Sequence, residues 1–173
     1  WVRITDGTDN LVLVSHGWKA IQFDENDVRV MGRAAAWVRG MKVASTDKLI
    51  VWCVAGKEAK YIFTVSENGI GKISSLDEYR EQGRGGSGIK VGATTEKTGA
   101  IIGAYTLTEQ EKKDNSVILI SKNGQTVRVP LADVRVTGRT TQGVILAKIK
   151  NGSDTFTSAA VVQRSEEDDI VEE

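Results

Sequence analysis

Six arginines form three pairs at matching positions along the chain. In each pair the arginines are four residues apart and the second directly follows a glycine: Arg29 and Arg33, Arg80 and Arg84, Arg135 and Arg139. The glycines, Gly32, Gly83 and Gly138, are 51 and then 55 residues apart, a spacing typical of repeat arrays and propellers. A guanidinium group offers a planar fork of donors that suits phosphate oxygens. The pattern therefore predicts a row of cations for a repeating polyanion.

Further cations flank these pairs. Arg39 and Lys90 follow the first and second pairs by six residues, and other basic residues lie nearby: Lys42, Arg128, Lys148 and Lys150. Few aromatic residues lie among them, which disfavours single-strand binding by base stacking and favours contact with the phosphates of duplex DNA. The alternative is structural: each arginine pair would form ion pairs or carbonyl hydrogen bonds that join neighbouring repeats.

The side chains that enzymes use for acid–base or nucleophilic chemistry are scarce. The one histidine, His16, falls in a predicted hairpin tip, which disfavours a catalytic triad or a metal cluster. The single cysteine, Cys53, lies in an apolar run and is expected in the core. Residues 83–88 match the dinucleotide pattern G-x-G-x-x-G, but that pattern needs a following helix and strand-type residues follow here. We predict no catalytic residue, metal site or cofactor in this chain.

The cations lie between short segments of the kind that form β-hairpins. Asn-Gly at 68–69 and 123–124 favours a tight turn, because a type I′ turn needs positive φ at both central residues. Three hairpins are predicted: Leu11–Ser15 with Lys19–Phe23, Tyr61–Val65 with Lys72–Ser75, and Val117–Ile120 with Thr126–Val129. Their Val, Ile, Leu and Tyr residues suit a half-buried sheet. No helical period exceeds two turns, so the sequence predicts an all-β chain of three similar units.

Two tryptophans occupy positions where the other repeats have glycine. They are Trp18, which corresponds to Gly69 and Gly124, and Trp37, which corresponds to Gly88 and Gly143. A bulky side chain fits poorly in a turn with positive φ, so each indole is expected to lower stability relative to glycine. Either the indoles adapt these turns, or the two tryptophans come from UGA codons. In that case UGA was translated here as tryptophan, whereas the source organism translates it as glycine.

The formal net charge of zero hides an asymmetry. The last nine residues, 165–173, contain six acidic residues and no basic one, which leaves 23 basic against 17 acidic residues over 1–164, a net charge of +6. Such a block of charge at a terminus predicts a disordered, solvated tail. The tail would either promote solubility or compete with an anionic ligand for the basic body.

Several segments resemble the repeat of the C-terminal domain of the DNA gyrase A protein. They are residues 31–33, 67–72, 77–80, 82–89 and 138–146. With the segments between them, the likeness covers nearly the whole chain, and the acidic tail follows in the family's order.

The family fold is a β-pinwheel, a propeller-like disc of four-stranded blades, usually five or six. The resemblance implies a partial β-pinwheel of about three blades. These span residues 1–48, 49–98 and 99–164, the last with the start of a closing strand, and 165–173 form the tail.

The family's wrapping motif, the gyrase A-box Q-R-R-G-G-K-G, resembles one segment of this chain. The segment consists of Gln82, Gly83, Arg84, Gly85, Gly86, Ser87 and Gly88. Gly83 replaces an arginine of the motif and Ser87 replaces its lysine. The segment also lies in a middle repeat, whereas the family's essential box lies at the start of the domain. We therefore interpret it as a degenerate copy.

The resemblance implies a module that binds and wraps duplex DNA and supports ATP-dependent negative supercoiling by a parent topoisomerase. The expected DNA-binding residues are Arg29, Arg33, Arg39, Arg80, Arg84, Lys90, Arg135 and Arg139. ATP and Mg²⁺ would be used by other parts of the parent enzyme, and this segment would hold no cofactor. Its partners would be the rest of the gyrase A protein and the gyrase B protein in the heterotetramer.

The expected location is the cytoplasm, at the nucleoid. The sequence contains no run of about 18 apolar residues, the length that a membrane helix needs. A single cysteine fits a reducing compartment. Two alternatives stay open: a topoisomerase IV C-terminal domain, or a propeller-like interaction scaffold that does not bind DNA. A gel shift on duplex DNA across a salt series separates the scaffold from the DNA-binding modules.

Overall fold

Short strands form most of the regular structure. The computed structural model describes residues 4–92, 95–149 and 154–163, and the predicted acidic tail lies outside them. The strands are β1 (Asn10–Ser15), β2 (Lys19–Asp24), β3 (Leu49–Ala55), β4 (Tyr61–Ser66), β5 (Ile70–Ser75), β6 (Ile89–Lys90), β7 (Ile101–Leu107), β8 (Asn115–Ser121), β9 (Thr126–Pro130), β10 (Val144–Ile145) and β11 (Phe156–Gln163). The predicted all-β class is confirmed.

The three predicted hairpins are confirmed, but the Asn-Gly turns are not type I′, since φ is positive at Gly69 and Gly124 and not at Asn68 and Asn123. Strands β1 and β2, β4 and β5, and β8 and β9 pair in antiparallel fashion. A single 3-10 turn follows each hairpin: Glu25–Asp27, Leu76–Glu78 and Leu131–Asp133. In the first of these turns the Asp24 side chain accepts a hydrogen bond from the Asn26 amide at 2.7 Å, which fixes the chain's exit from the hairpin. The same local path thus leads into each arginine pair.

Two sheets are completed by a strand from the next repeat. The first sheet has the order β3-β1-β2-β6 and the second has the order β10-β5-β4-β7. We call β6 and β10 the donated strands, because β6 follows Arg84 of the second repeat and β10 follows Arg139 of the third. The third sheet, β11-β8-β9, has three strands within the described residues. Neighbouring repeats are therefore joined by backbone pairing as well as by side chains.

The sheets do not follow the predicted boundaries at residues 48 and 98. Strand β3 begins the predicted second unit but pairs with β1. Strand β7 likewise pairs with β4 and β11 pairs with β8. Each hairpin therefore receives a third strand that follows the arginine pair in sequence. Apart from the donated strands, the first sheet ends at Ala55 and the second at Leu107.

Apolar clusters join neighbouring sheets. The first contains Val12 of β1, Ile62 of β4 and Ile101 of β7, and the second joins Phe63 of β4 to Leu119 of β8. Cys53 belongs to the first cluster, as its apolar surroundings in the sequence predicted. Each sheet thus buries its apolar face against the next one, which is the packing logic of repeat proteins.

One short helix was not predicted. Helix α1 (Glu109–Asp114) begins with a capping box, in which the Thr108 hydroxyl accepts a hydrogen bond from the Glu111 amide at 3.1 Å. The Glu111 carboxylate in turn accepts one from the Thr108 amide at 2.7 Å. None of the helices in the described parts of the chain is long and apolar enough to cross a bilayer.

Trp18 has a glycine-like backbone. Its φ of +59° is the only positive value at a described non-glycine residue, and the corresponding turns have φ of +72° at Gly69 and +84° at Gly124. The indole, however, is 1% exposed, and its Nε1 donates a hydrogen bond to the Gly99 carbonyl at 2.8 Å. The sequence correctly indicated backbone strain at Trp18 but not the packing of its side chain.

Trp37 differs from Trp18 because its side chain is 96% exposed and its φ is not positive. At the corresponding positions, Gly88 has φ of +67° and Gly143 has φ of +95°. A Cβ atom on Gly88 would lie 2.6 Å from the Ala20 carbonyl oxygen, and one on Gly143 would lie 2.7 Å from that of Gly71. These two glycines let the donated strands approach the preceding sheet.

Replacing the two tryptophans by glycine tests these environments. Trp18→Gly relieves a backbone strain of about 1–3 kcal/mol but removes a buried indole, whose loss costs about 3–5 kcal/mol. We expect W18G to lower the free energy of unfolding in urea, which reverses the sequence-based expectation. W37G should change it by less than about 1 kcal/mol because the indole is exposed. If W18G is at least as stable as the parent, the buried indole does not stabilise this turn, which contradicts the prediction. Mass spectrometry of the protein from its native host then identifies the natural residue at position 18.

Candidate nucleic-acid interface

The Arg84 side chain contacts the repeat that precedes it. Its Nε donates a hydrogen bond to the Asp27 carbonyl at 3.0 Å, and its Nη1 donates to the Arg39 carbonyl at 2.7 Å. The Arg84 backbone amide also donates to the Asp27 carboxylate at 3.2 Å. The guanidinium group therefore ties the second repeat to the loop of the first.

Arg139 makes two of the three corresponding contacts one repeat later, since its Nε has no hydrogen-bond partner in the described residues. Its backbone amide donates to the Glu78 carboxylate at 2.7 Å, and its Nη1 donates to the Lys90 carbonyl. Glu78 and Lys90 lie 51 residues after Asp27 and Arg39, so the partners correspond as well. We call these two sets of bonds the arginine contacts. They match the structural alternative that the sequence left open.

Arg33 is the corresponding residue of the first repeat and behaves differently. Its side chain is exposed and forms no hydrogen bond or ion pair within the described part of the chain. The sheet that would supply its partners is absent from the described residues, since no repeat precedes the first one there. Arg33 thus offers a natural comparison for Arg84 and Arg139.

The first arginine of each pair faces solvent. Arg29, Arg80 and Arg135 are exposed, and none of their guanidinium groups has a hydrogen-bond or ion-pair partner among residues 4–92, 95–149 and 154–163. The next residues in two repeats, Glu81 and Val136, form parallel bridges to the preceding hairpins. The backbone therefore holds Arg80 and Arg135 in place while their charges stay available to a ligand.

Arg39 and Lys90 are brought close to the arginine contacts. Both side chains are exposed, and their carbonyl groups accept the bonds from Arg84 and Arg139. The structure therefore groups Arg39 with Arg84, and Lys90 with Arg139, at two successive junctions between repeats.

The degenerate box, residues 82–88, is bound to the first repeat mainly through its backbone. The Gln82 amide donates to the Gln22 carbonyl at 2.8 Å, and the Gly85 amide donates to the Gly40 carbonyl at 2.7 Å. Strand β6 follows the box directly, where a dinucleotide-binding loop would lead into a helix. The strand predicted after the box is therefore confirmed, and the helix that the dinucleotide pattern needs does not follow it.

Lys72 is a site residue that the sequence analysis missed. The side chain lies on β5 and is 1% exposed. Its Nζ donates to the Thr141 carbonyl at 2.9 Å and also to the carbonyls of Val91 and Arg139. Burial lowers the pKa of the Lys72 ammonium to about 8, while the charge of Glu78 acts in the opposite direction. Lys72 thus fixes the chain that carries Arg139.

A comparison of the repeats would have found Lys72. The corresponding residues in the first and third hairpins are Ile21 and Val127, so one repeat has a charge at an otherwise apolar position. A buried lysine needs hydrogen-bond acceptors, and the carbonyls of the third repeat provide them.

Other chemistry-bearing groups do not form a site in the described residues. Oxygens of Asp6, Asp9 and Glu25 lie within 4.8 Å of one another. The Glu25 carboxylate accepts a bond from the Asp9 amide and the Asp6 carboxylate accepts one from Thr8, both at 2.8 Å. Because the loop's own amides already bond to the Asp6 and Glu25 carboxylates, we assign no metal to this group. His16 lies in the turn between β1 and β2, as predicted.

The arginine contacts can be tested with the chain's own control. Arg84→Met and Arg139→Met should each lower the free energy of unfolding by about 1–2 kcal/mol, because charged hydrogen bonds at half-exposed sites are lost. Arg33→Met should change it by less than about 0.5 kcal/mol. Hydrogen exchange should accelerate at the Val91 amide in R84M and at the Leu146 amide in R139M, since these amides bond to the preceding sheets. Equal effects of all three variants would contradict the assignment.

The chain matches the family model described as the DNA gyrase C-terminal domain, beta-propeller, over residues 9–50, 60–108 and 115–163. The A subunit of DNA gyrase from Kosmotoga olearia is 35% identical over 159 residues, which cover 91% of this chain and 19% of that protein. The corresponding protein of Pseudomonas aeruginosa is 40% identical over 146 residues, covering 84% of this chain and 15% of that protein. The chain therefore spans at most about a fifth of these relatives.

Two solved structures share the fold. The C-terminal domain of DNA topoisomerase IV superposes with a TM-score of 0.84 at 22% identity, covering 93% of this chain and 49% of that one. The DNA gyrase A C-terminal domain superposes with a TM-score of 0.80 at 25% identity, covering 91% of this chain and 52% of that one. The chain thus corresponds to about half of each solved domain.

Proposed function

Because the chain belongs to the DNA gyrase C-terminal domain family, we propose that it is a duplex-DNA-binding and DNA-wrapping module of a gyrase A protein. In this role it supports ATP-dependent negative supercoiling by the parent enzyme, whose ATP and Mg²⁺ chemistry belongs to other segments. Its protein partners are the rest of the gyrase A protein and the gyrase B protein. It acts in the cytoplasm, at the nucleoid, and contributes no catalytic group.

The observation that carries the proposal is one solvent-exposed arginine at the same place in each repeat. Arg29, Arg80 and Arg135 have no carboxylate partner within the described ranges, so their charge is not neutralised. Guanidinium groups bind phosphate oxygens through paired hydrogen bonds. Contacts to phosphates position a duplex without recognising its bases, so the expected binding is indifferent to sequence.

The arginines of each pair have different roles in this proposal. Arg84 and Arg139 hold the loops of neighbouring repeats together through carbonyl hydrogen bonds. The exposed first arginines then meet the DNA. Because carbonyl groups carry no net charge, Arg84 and Arg139 also add to the positive potential that attracts a polyanion. Mutation of the second arginines would therefore affect both folding and binding.

Two other functions are less well supported. The topoisomerase IV domain superposes well, but at 22% identity that likeness concerns the fold alone, and the relatives above are gyrase A proteins. A scaffold without DNA binding leaves the repeated unpaired arginines without a purpose. The salt dependence of duplex binding separates the scaffold from the DNA-binding proposal.

A salt series on duplex DNA tests the proposal. The logarithm of the association constant should fall linearly with the logarithm of the salt concentration, since each phosphate contact releases a counterion. R29Q/R80Q/R135Q should reduce the magnitude of this slope by about 2–3, at about 0.9 per contact. Fluorescence anisotropy with two unrelated duplexes measures both the slope and the indifference to sequence.

The matched control for this variant is K57Q/K60Q/K113Q, which also removes three exposed cations. Lys57 and Lys60 precede β4 and Lys113 lies on α1, so none of them belongs to an arginine pair. The control should retain the parent slope to within about one contact. A flat salt dependence of the parent protein would refute DNA binding, and equal losses in both variants would refute the arginine assignment.

The acidic tail gives a separate prediction. If residues 165–173 compete with DNA for the basic body, their deletion should tighten binding several-fold at low salt. The gain should shrink toward physiological ionic strength, because the Debye length falls from about 30 Å at 0.01 M to about 8 Å at 0.15 M. Fluorescence anisotropy titrations of the full chain and of the chain without residues 165–173 measure this gain in affinity. Unchanged affinity at low salt would favour a role in solubility.

A further inference from the structure

Two lysines lie directly opposite each other where the first sheet receives its donated strand. Lys19 of β2 pairs in register with Lys90 of β6. Opposite residues of an antiparallel pair lie on the same face, with Cβ atoms about 4.5–5.5 Å apart. Their neighbours Ala20 and Ile89 form the adjacent pair and pack into the apolar cluster on the other face. Lys90 is exposed and Lys19 is half-buried.

Arg139 of the third repeat brings a third cation to this pair. Its Nη1 donates to the carbonyl of Lys90 itself, so the guanidinium contacts the backbone of the residue that carries the second ammonium group. The backbone around Arg139 is fixed, since its carbonyl accepts a bond from the buried Lys72 and its amide donates to Glu78. Cations from three successive repeats therefore converge at one junction.

The charges at this junction are not balanced by carboxylates. Lys19 and Lys90 form no ion pair with any described residue, and the Arg139 guanidinium donates to a carbonyl. Glu78 is the one acidic group that contacts the cluster among the described residues, and it does so through the Arg139 amide. Like charges placed opposite each other in a sheet repel. One carboxylate offsets only part of the charge of three cations, so an anion at this place would relieve the remaining repulsion.

The fold does not require these lysines. At the next junction the corresponding pair, in the same register between β5 and β10, is Ile70 and Ile145. Ile145, which corresponds to Lys90, is 51% exposed, whereas Ile70, which corresponds to Lys19, is 4% exposed. Only the position on the donated strand is therefore open to solvent at both junctions. The chain therefore shows that two isoleucines satisfy the backbone pairing, and the two lysines serve another purpose.

We propose that Lys19, Lys90 and Arg139 form a phosphate-binding site at the junction of the three repeats. The ligand class is a phosphate group of a polyanion. On the proposed function, on which this inference rests, that group is a backbone phosphate of the bound duplex. Lys19 was not among the predicted DNA-binding residues, and the pair makes this junction a stronger anchor than the next one.

The experiment replaces the lysines with the residues that the chain uses at the other junction. K19I/K90I should reduce the magnitude of the salt slope for duplex binding by about 1.8, at about 0.9 per contact, and weaken binding more than tenfold in 50 mM salt. K57Q/K60Q removes two exposed lysines outside this junction and should leave the salt slope and the affinity for duplex DNA near the parent values. K19Q/K90Q serves as the second variant if the isoleucine pair does not fold.

A titration with inorganic tripolyphosphate separates this site from DNA binding as such. Amide NMR signals of residues 19, 90 and 139 should shift on addition of tripolyphosphate to the parent protein, and the signals of the same three positions should not shift in K19I/K90I. If tripolyphosphate shifts these signals but the parent does not bind DNA, the proposed function fails and the phosphate site stands. If these signals do not shift, or K19I/K90I and K57Q/K60Q lose DNA affinity equally, the phosphate site is refuted.

Discussion

The structure depends on the close approach between each sheet and the strand donated by the next repeat. At Gly88 and Gly143 a side chain would place its Cβ within 2.7 Å of a carbonyl oxygen of the preceding sheet, so only glycine permits the contact. The donated strands are two residues long, and two residues form too short a ladder to hold a sheet edge alone. Side-chain bonds to carbonyls supply the rest: those of Arg84, Arg139 and Lys72.

Carbonyl partners have a consequence for the electrostatics of the junctions. A salt bridge would hold the same segments together and would also neutralise the cation, whereas a carbonyl oxygen satisfies the donor and leaves the net charge in place. Arg84 and Arg139 can therefore join repeats and still contribute to the field of a basic surface. The same motif supports both the fold and the attraction of a polyanion, which explains why structural and binding interpretations of the arginine pairs both find support.

Local signals in the sequence predicted local structure well. Asn-Gly turns between apolar segments identified the second and third hairpins, and the corresponding segment of the first repeat identified the first, because a hairpin depends on a few adjacent residues. Strand β3 was assigned to the wrong sheet, since its pairing with β1 is non-local and leaves no mark in the spacing. The spacing likewise showed that six arginines recur but not which carbonyls Arg84 and Arg139 contact. Trp18 shows the same limit: its turn was predictable, but the cavity that holds the indole is built from distant residues.

The repeats share a backbone but not the chemistry of their junctions. The approach of the donated strand fixes glycine at two positions and arginine at two others, yet the facing pair can be Lys19 and Lys90 or Ile70 and Ile145. The position on the donated strand is exposed in both cases, as Lys90 and as Ile145, so a change there alters surface charge. The facing position varies as well, from half-buried Lys19 to buried Ile70. Affinity for an anion can therefore differ from one junction to the next while the fold stays constant. Such freedom lets a repeat array set how strongly each part of its rim holds a long polyanion.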